Sequence, residues 1–159
     1  MIRPRKEGGY TLTELMIVIV VVGFLAFPEM EHIRTAAKLT GVQSNYRSVI
    51  MTIYGLQSTE DVATKLTSYF GDSENPKVED MTNPITNKMG VATVVAPADE
   101  PTPAVYVLDE IVTTVPSEVE QSDYKGAVVA IVKADNSIVV YGCDEVGKLM
   151  TGFQRTIKL

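Results

Sequence analysis

The chain has one cysteine, Cys143, and one histidine, His32, in 159 residues. A single thiol excludes an intramolecular disulfide and any cysteine-rich zinc site. A single imidazole leaves little for histidine-based metal binding or proton transfer. Positive charge is scarce as well: 14 Lys and Arg stand against 20 Asp and Glu, for a net charge of −6. That balance argues against a dedicated nucleic-acid binder, which needs a basic face to neutralise phosphates. No glycine-rich phosphate loop follows a strand-like segment, and no internal repeat is visible. Apolar residues are plentiful, 45% against 21% charged, which sets disorder aside. At this length the chain fits one domain plus a segment with a separate task.

The apolar residues are unevenly spread. Leu15 to Phe27 runs for thirteen residues without a charge, behind a leader in which Arg3, Arg5 and Lys6 face one acid, Glu7. A secretory signal would end such a run at a small-x-small cleavage site, whereas this one ends in Ala26, Phe27, Pro28 and Glu29. Tyr10 to Phe27 is 18 residues, roughly 27 Å of helix, just long enough to span a hydrocarbon core. The basic leader would keep its end in the cytoplasm. Glu14 does not suit a plain anchor, because a lone carboxylate at membrane depth is costly and usually has a partner or a function.

Beyond Pro28 the pattern changes. Leu39, Val42, Tyr46, Val49, Ile53 and Leu56 recur at spacings of 3, 4, 3, 4 and 3, an apolar stripe down one helix face. Arg34, Lys38, Gln43, Asn45 and Arg47 lie mostly off it. One long helix over residues 10–57 is therefore predicted, apolar nearly all round in its first half and amphipathic in its second. Pro28 should kink or loosen it, and Gly55 should weaken its end. Residues 58–90 read as a turn-rich loop with a short helix reaching Tyr69 or Phe70, capped from Thr59-Glu60-Asp61. Gly71 to Pro76 and Asn83-Pro84 punctuate that loop. Residues 91–159 hold strand candidates at Val91–Ala96, Ala104–Leu108, Gly126–Lys133, Ser137–Gly142 and, more weakly, Phe153–Lys158. Ala134-Asp135-Asn136 reads as a tight hairpin turn, and Pro97, Pro101 and Pro103 around Asp99-Glu100 as a stiff exposed loop. An antiparallel sheet covered by the amphipathic half-helix follows, an α+β fold.

Chemical motifs are sparse. Glu29 and His32 have the Glu-x-x-His spacing of di-iron bundles, but that site needs two such pairs and two further glutamates. Cys143 sits beside Asp144 and Glu145, which disfavours a thiolate, so a packed thiol outweighs a Cys143–His32 dyad. Asp135-Asn136-Ser137 lacks the spacing and glycine of a calcium loop. The seven tyrosines are spread out and read as packing residues.

The segment GYTLTELMIVIVVVGFLA, residues 9–26, resembles the N-terminal signature of type IV pilins and type II secretion pseudopilins. Family members carry a short basic leader ending in Gly, an aromatic, a Glu four residues later, and an apolar helix. The resemblance implies a pilin fold, with residues 1–9 as leader, 10–27 as membrane and filament core, 58–90 as αβ-loop and 91–159 as sheet domain. It implies cleavage between Gly9 and Tyr10 by a prepilin peptidase, N-methylation of Tyr10, and an assembly role for Glu14. Gly23 and Pro28 are placed where the family's helix loosens. Implied partners are identical subunits and an inner-membrane assembly platform, with no cofactor, metal or catalytic residue. The implied location is the cytoplasmic membrane before assembly, leader inside and sheet domain outside, then an extracellular pilus. Such filaments serve adhesion, motility or DNA uptake. Tyr10 replaces the commoner Phe. Pro28 lies about one turn nearer the N-terminus than the family's usual proline, and Glu29, Glu31 and His32 follow it at once where relatives continue apolar. The lack of a second cysteine differs from many Gram-negative pilins, which staple a C-terminal loop. Two other readings stand beside a pilus subunit: a major pseudopilin of a secretion or competence system, and a membrane-tethered ligand-binding domain.

Overall fold

The structure is a computed structural model that describes residues 10–56, 61–71, 81–97, 99–111 and 114–159, and of residues 26–29, 62 and 71 the backbone alone. Of the expected cap Thr59-Glu60-Asp61, the first two residues lie outside these residues, as does most of the Gly71 to Pro76 loop. Internal contacts divide the chain into two units, Met1–Ala36 and Ala37–Leu159. Helix α1, Leu12–Gly55, runs through both. Its axis bends between Leu25 and Met30, across the position where Pro28 removes a backbone donor.

In the second unit the predicted stripe is the packed face of α1. Val42, Tyr46, Val49, Ile53 and Leu56 are buried, joined by Ile50, while Leu39 is half-buried. α1 ends at Gly55. The next amide, Leu56 N–H, is shared between the carbonyls of Thr52 and Ile53 at 3.1 Å each, the tightened last turn usual at a helix C-terminus. Helix α2, Val62–Gly71, starts from Asp61, whose carboxylate accepts from the Thr64 N–H and hydroxyl. Those bonds hold the Asp61 carboxyl below its ordinary range.

Five strands follow: β1 Val91–Ala92, β2 Val105–Asp109, β3 Val128–Val132, β4 Ser137–Cys143 and β5 Leu149–Lys158. They lie in the order β1-β2-β3-β4-β5, and the α+β architecture is the expected one. Pairing is mixed rather than uniformly antiparallel. β3–β4 and β4–β5 are antiparallel, whereas β1–β2 and β2–β3 are parallel. The reason lies in the connections: residues 133–136 form a tight turn, but residues 110–127 form a long one that allows β3 to re-enter beside β2 in the same direction. In the tight turn Asn136 has φ 57°, its N–H donates to Lys133 O, and Lys133 N–H donates to Ser137 O. β1 is shorter than the expected Val91–Ala96, and β5 starts earlier than Phe153.

The central strands β2, β3 and β4 are buried on both faces, while β5 is largely exposed. Toward α1 and α2, the side chains of Val105, Val107, Val128, Ala130, Ile138, Val140 and Ile157 join Tyr46, Val49, Ile53, Leu66 and Phe70 in one core. The opposite face packs Tyr106, Leu108, Val129, Ile131, Val139 and Tyr141 with Tyr124, Ala127 and Cys143 in a second. Loops cover that second core. The Tyr124 hydroxyl donates to Thr114 O at 2.8 Å, the Tyr106 hydroxyl accepts from Ala96 N–H at 3.2 Å, and the two rings meet edge to face at 5.7 Å.

One buried side chain ties the loops together. The Asn83 amide nitrogen donates toward Thr102 O, Pro103 O and Lys125 O, and its oxygen accepts from Ile85 N–H and Thr86 N–H. Thr102 and Pro103 are accordingly buried, while Pro97, Asp99, Glu100 and Pro101 are exposed, so the stiff loop is exposed only in its first part. Gly126 sits against this knot with φ +66°, and a Cβ there would lie 2.5 Å from Asn83 Oδ1. α1 docks on the same turn: a Cβ on Gly41 would lie 2.7 Å from Pro84, and Asn45 Nδ2 donates to Thr82 O at 3.0 Å.

Asn83→Ala is expected to cost about 3 kcal/mol or more in urea unfolding, because several buried backbone groups lose their partner at once. A loss below about 1 kcal/mol would show that water replaces the amide. Burial, then the Asp144 charge, pushes the Cys143 thiol from 9.0 up to about 12, and burial foremost pushes the Tyr124 hydroxyl from 10.0 up to about 12. Both groups bind their protons more tightly folded than unfolded. Their contribution to stability is therefore whole below about pH 9 and is lost as pH rises toward 12. The melting temperature should fall across that window, and Cys143 should resist a thiol reagent at pH 8 until the protein is denatured.

Candidate functional site

The first unit contains the residues on which the sequence reading placed function. Thr11 stands directly before the first helical residue of α1, and Glu14 is the third residue of the helix. The Glu14 Oε2 accepts from the Thr11 N–H and from the Thr11 hydroxyl, both at 2.9 Å, and the Thr11 Oγ1 accepts from the Glu14 N–H at 3.3 Å. This reciprocal pair is a capping box, which satisfies amides that the start of a helix leaves without partners. The sequence reading missed Thr11. Its signal was present in Thr11-Leu12-Thr13-Glu14, a Thr-x-x-Glu directly before an apolar run.

After the cap, α1 is apolar on every side and covered on none. From Leu15 to Leu25, each large apolar side chain is at least half exposed, from 50% at Val21 to 76% at Phe24. Tyr10, at the start, is 86% exposed. Fully burying one such side chain is worth about 1.5–3 kcal/mol, so a surface of this kind needs lipid or other apolar helices around it. Gly23 has nothing within 4 Å of the position its Cβ would take. Among the described residues no packing requires glycine there, in contrast to Gly41. Gly9 lies outside the described residues, and Pro28 is described by its backbone alone. No single described helix is long and apolar enough to cross a membrane; Leu12–Leu25 and Met30–Gly55 meet that measure only together, as a bent pair.

Among its described residues the second unit holds no comparable constellation. A groove of about 560 Å³ between α2 and the sheet edge is lined by Thr64, Thr67, Ser68, Thr93 and Asp109 among others. Its helix hydroxyls already donate within α2 and its cap, to Asp61, Ala63 O and Lys65 O, and the lining contains no histidine, cysteine or basic side chain. Cys143 is fully buried, a packed thiol at neutral pH. Among the described residues no group of three or more His, Cys, Asp or Glu is placed to hold a metal ion. Of the site residues from the sequence, Glu14, Gly23 and Pro28 lie in α1 and Tyr10 two residues before it, and around Tyr10, Glu14 and Gly23 the described residues offer surface rather than a cavity.

A family model described as the prokaryotic N-terminal methylation motif matches residues 4–27. No curated protein and no solved structure matches the chain. The matched stretch takes in the basic leader, the Gly9–Tyr10 junction, the capping box and the uncovered apolar helix. From residue 4 to residue 27, this chain carries the class III leader motif of type IV pilins and pseudopilins.

Proposed function

We propose that the chain is a structural subunit of a type IV pilus filament. The observation that carries this reading is the position of an uncovered, all-round apolar helix directly behind a methylation-motif leader. In this reading a prepilin peptidase cleaves after Gly9 and the new α-amino group of Tyr10 is methylated. The helix waits in the cytoplasmic membrane, with the sheet domain outside, and an inner-membrane platform then moves it into a polymer. Lipid and the helices of other subunits are both apolar surroundings, so the transfer exchanges one cover for another. Identical subunits meeting head to tail without closure form an open helical fibre. Gly23, where a Cβ would meet nothing among the described residues, and Pro28, at the bend, are the points where the helix can yield in the filament. The role is structural, and the enzyme acting on the leader is a separate protein.

Glu14 then has a second task beyond its cap. Within a bundle of apolar helices its carboxylate would be stranded unless a cation met it, and the cation that cleavage supplies is the α-amino group of Tyr10 on an adjacent subunit. A pair of this kind fixes the axial register between helices, while loss of one partner strands the other charge.

Electron microscopy of expressing cells should show long filaments that vanish when the chain is deleted, and their subunits should begin at N-methylated Tyr10 by mass spectrometry. Changing Gly9 should leave the uncleaved precursor in the membrane. Assembled fibres that still carry Arg3 to Gly9 are incompatible with the reading.

Two changes at Glu14 separate its roles. Glu14→Ala removes both cap and charge. Glu14→Gln keeps an acceptor for Thr11, since Gln serves in a capping box, but removes the charge. Both should abolish filaments while circular dichroism shows the sheet domain still folded. Normal piliation from Glu14→Gln would show that the cap alone is needed and would remove the charge-pairing role.

A further inference from the structure

The second unit carries two uncovered patches of opposite charge on opposite sides of its sheet. On the α1 side, Arg47, Met51 and Tyr54 lie on the helix face turned away from the core, with Met51 73% and Tyr54 56% exposed. The Arg155 guanidinium of β5 stands 5.6 Å from the centre of the Tyr54 ring, a cation–π contact that leaves the charge facing outward. On the other side, the segment at residues 114–121 is joined to the second core through Tyr124 and Leu149. It is tied down by Tyr124 Oη donating to Thr114 O, Leu149 N–H to Ser117 O, Gln121 N–H to Val146 O and Gln121 Nε2 to Val115 O. Its backbone is anchored, yet it turns Val115 and Val119 outward, 45% and 70% exposed, beside the exposed acids Glu118 and Glu120. Among the described residues, Arg47, Arg155 and Glu118 take part in no ion pair, and Glu120 has one, a 3.3 Å contact with Lys148.

We infer that these patches are the two halves of one interface: the Val115–Glu120 knob of one copy docks on the Arg47–Met51–Tyr54–Arg155 face of the next. The occupant is a second copy because the sheet separates the patches within one chain, and their charges complement each other. Charge also makes the pairing selective. A chain with net charge −6 repels its copies except where opposite charges are brought within a Debye length, about 8 Å at physiological ionic strength. Arg, Tyr and Met are the side chains enriched where protein interfaces bind most tightly. Patches on opposite faces give a heterologous contact that repeats from copy to copy. The inference deepens the filament reading and rests on it for the order of the copies.

The test uses the full chain in the host that assembles it. Met51→Cys and Val119→Cys together place one thiol in each patch, and the buried native Cys143 stays out of reach of a bismaleimide cross-linker. The expected product is a ladder of covalently linked chains well beyond the dimer, whereas each single substitution stops at the dimer. Arg47→Glu with Arg155→Glu in the double-cysteine chain should cut the ladder about tenfold, since like charges then face each other. Adding Glu118→Arg and Glu120→Arg should restore it, a recovery that a misfolded protein would not show. Filaments present with no ladder, or a ladder indifferent to charge reversal, overturn the interface and leave the filament reading standing. A charge-dependent ladder without filaments supports the interface and overturns the filament reading.

Discussion

A sheet that is apolar on both faces must be covered twice, and most of this fold follows from that requirement. Along β3 and β4, Val128 to Ile131 and Ser137 to Cys143 are all buried, so neither strand can turn one face to water. α1 and α2 cover one side with regular structure. The other side is covered by irregular chain, which lacks a hydrogen-bond ladder of its own and must find partners for its backbone elsewhere. Tyr124, Tyr106 and Asn83 supply those partners by reaching from their own segments to the backbone of another, and Gln121 does so within its own. The two covers also determine where the outward-facing residues fall. A helix can pack only one stripe of its surface, so Arg47, Met51 and Tyr54 are left outside. A loop anchored through its backbone leaves Val115 and Val119 outside by the same logic.

The two halves of α1 solve different problems with the same backbone. Past residue 37 the helix satisfies its apolar stripe inside the chain, at Val42, Tyr46, Val49 and Ile53. Before residue 26 it has no stripe, only an apolar circumference that the described residues leave uncovered. The glycines mark the same division. Gly41 is small because Pro84 leaves no room for a side chain, whereas no described residue requires Gly23 to be small.

Much of this was legible in the sequence because it is written in period and composition. The 3-4 spacing from Leu39 to Leu56 gave the packed face of α1, and the β-branched runs located β2, β3 and β4 to within two residues. Parallel pairing of β2 with β3 was not legible, since direction depends on the path of residues 110–127 and not on the strands themselves. Burial of Thr102 and Pro103 was hidden for a similar reason: the sequence shows prolines and charges nearby, and the cause is an amide 19 and 20 residues away at Asn83. The leader and Glu14 were legible as a motif. Thr11 was legible in principle, and its meaning emerged only when its bonds to Glu14 were seen. The docking patches were invisible, because residues such as Tyr54 and Arg155 meet only in the folded chain.

The capping box bears directly on the role proposed for Glu14. Both bonds from Thr11 go to one carboxylate oxygen, Oε2, and Oε1 takes no hydrogen bond among the described residues. A carboxylate has lone pairs for several donors, so Glu14 can keep its cap and still offer Oε1 to an α-amino group of a neighbouring subunit. The cap and the intersubunit pair do not compete for the same atom. Holding Glu14 in place beforehand also lowers the loss of side-chain freedom when the pair forms, which is how preorganisation strengthens an association. The hydroxyl of Thr11 is therefore part of the arrangement. Serine at that position would preserve it, whereas valine, of nearly the same shape, would leave Glu14 Oε2 with the backbone N–H of residue 11 as its one donor there and a less fixed carboxylate to present.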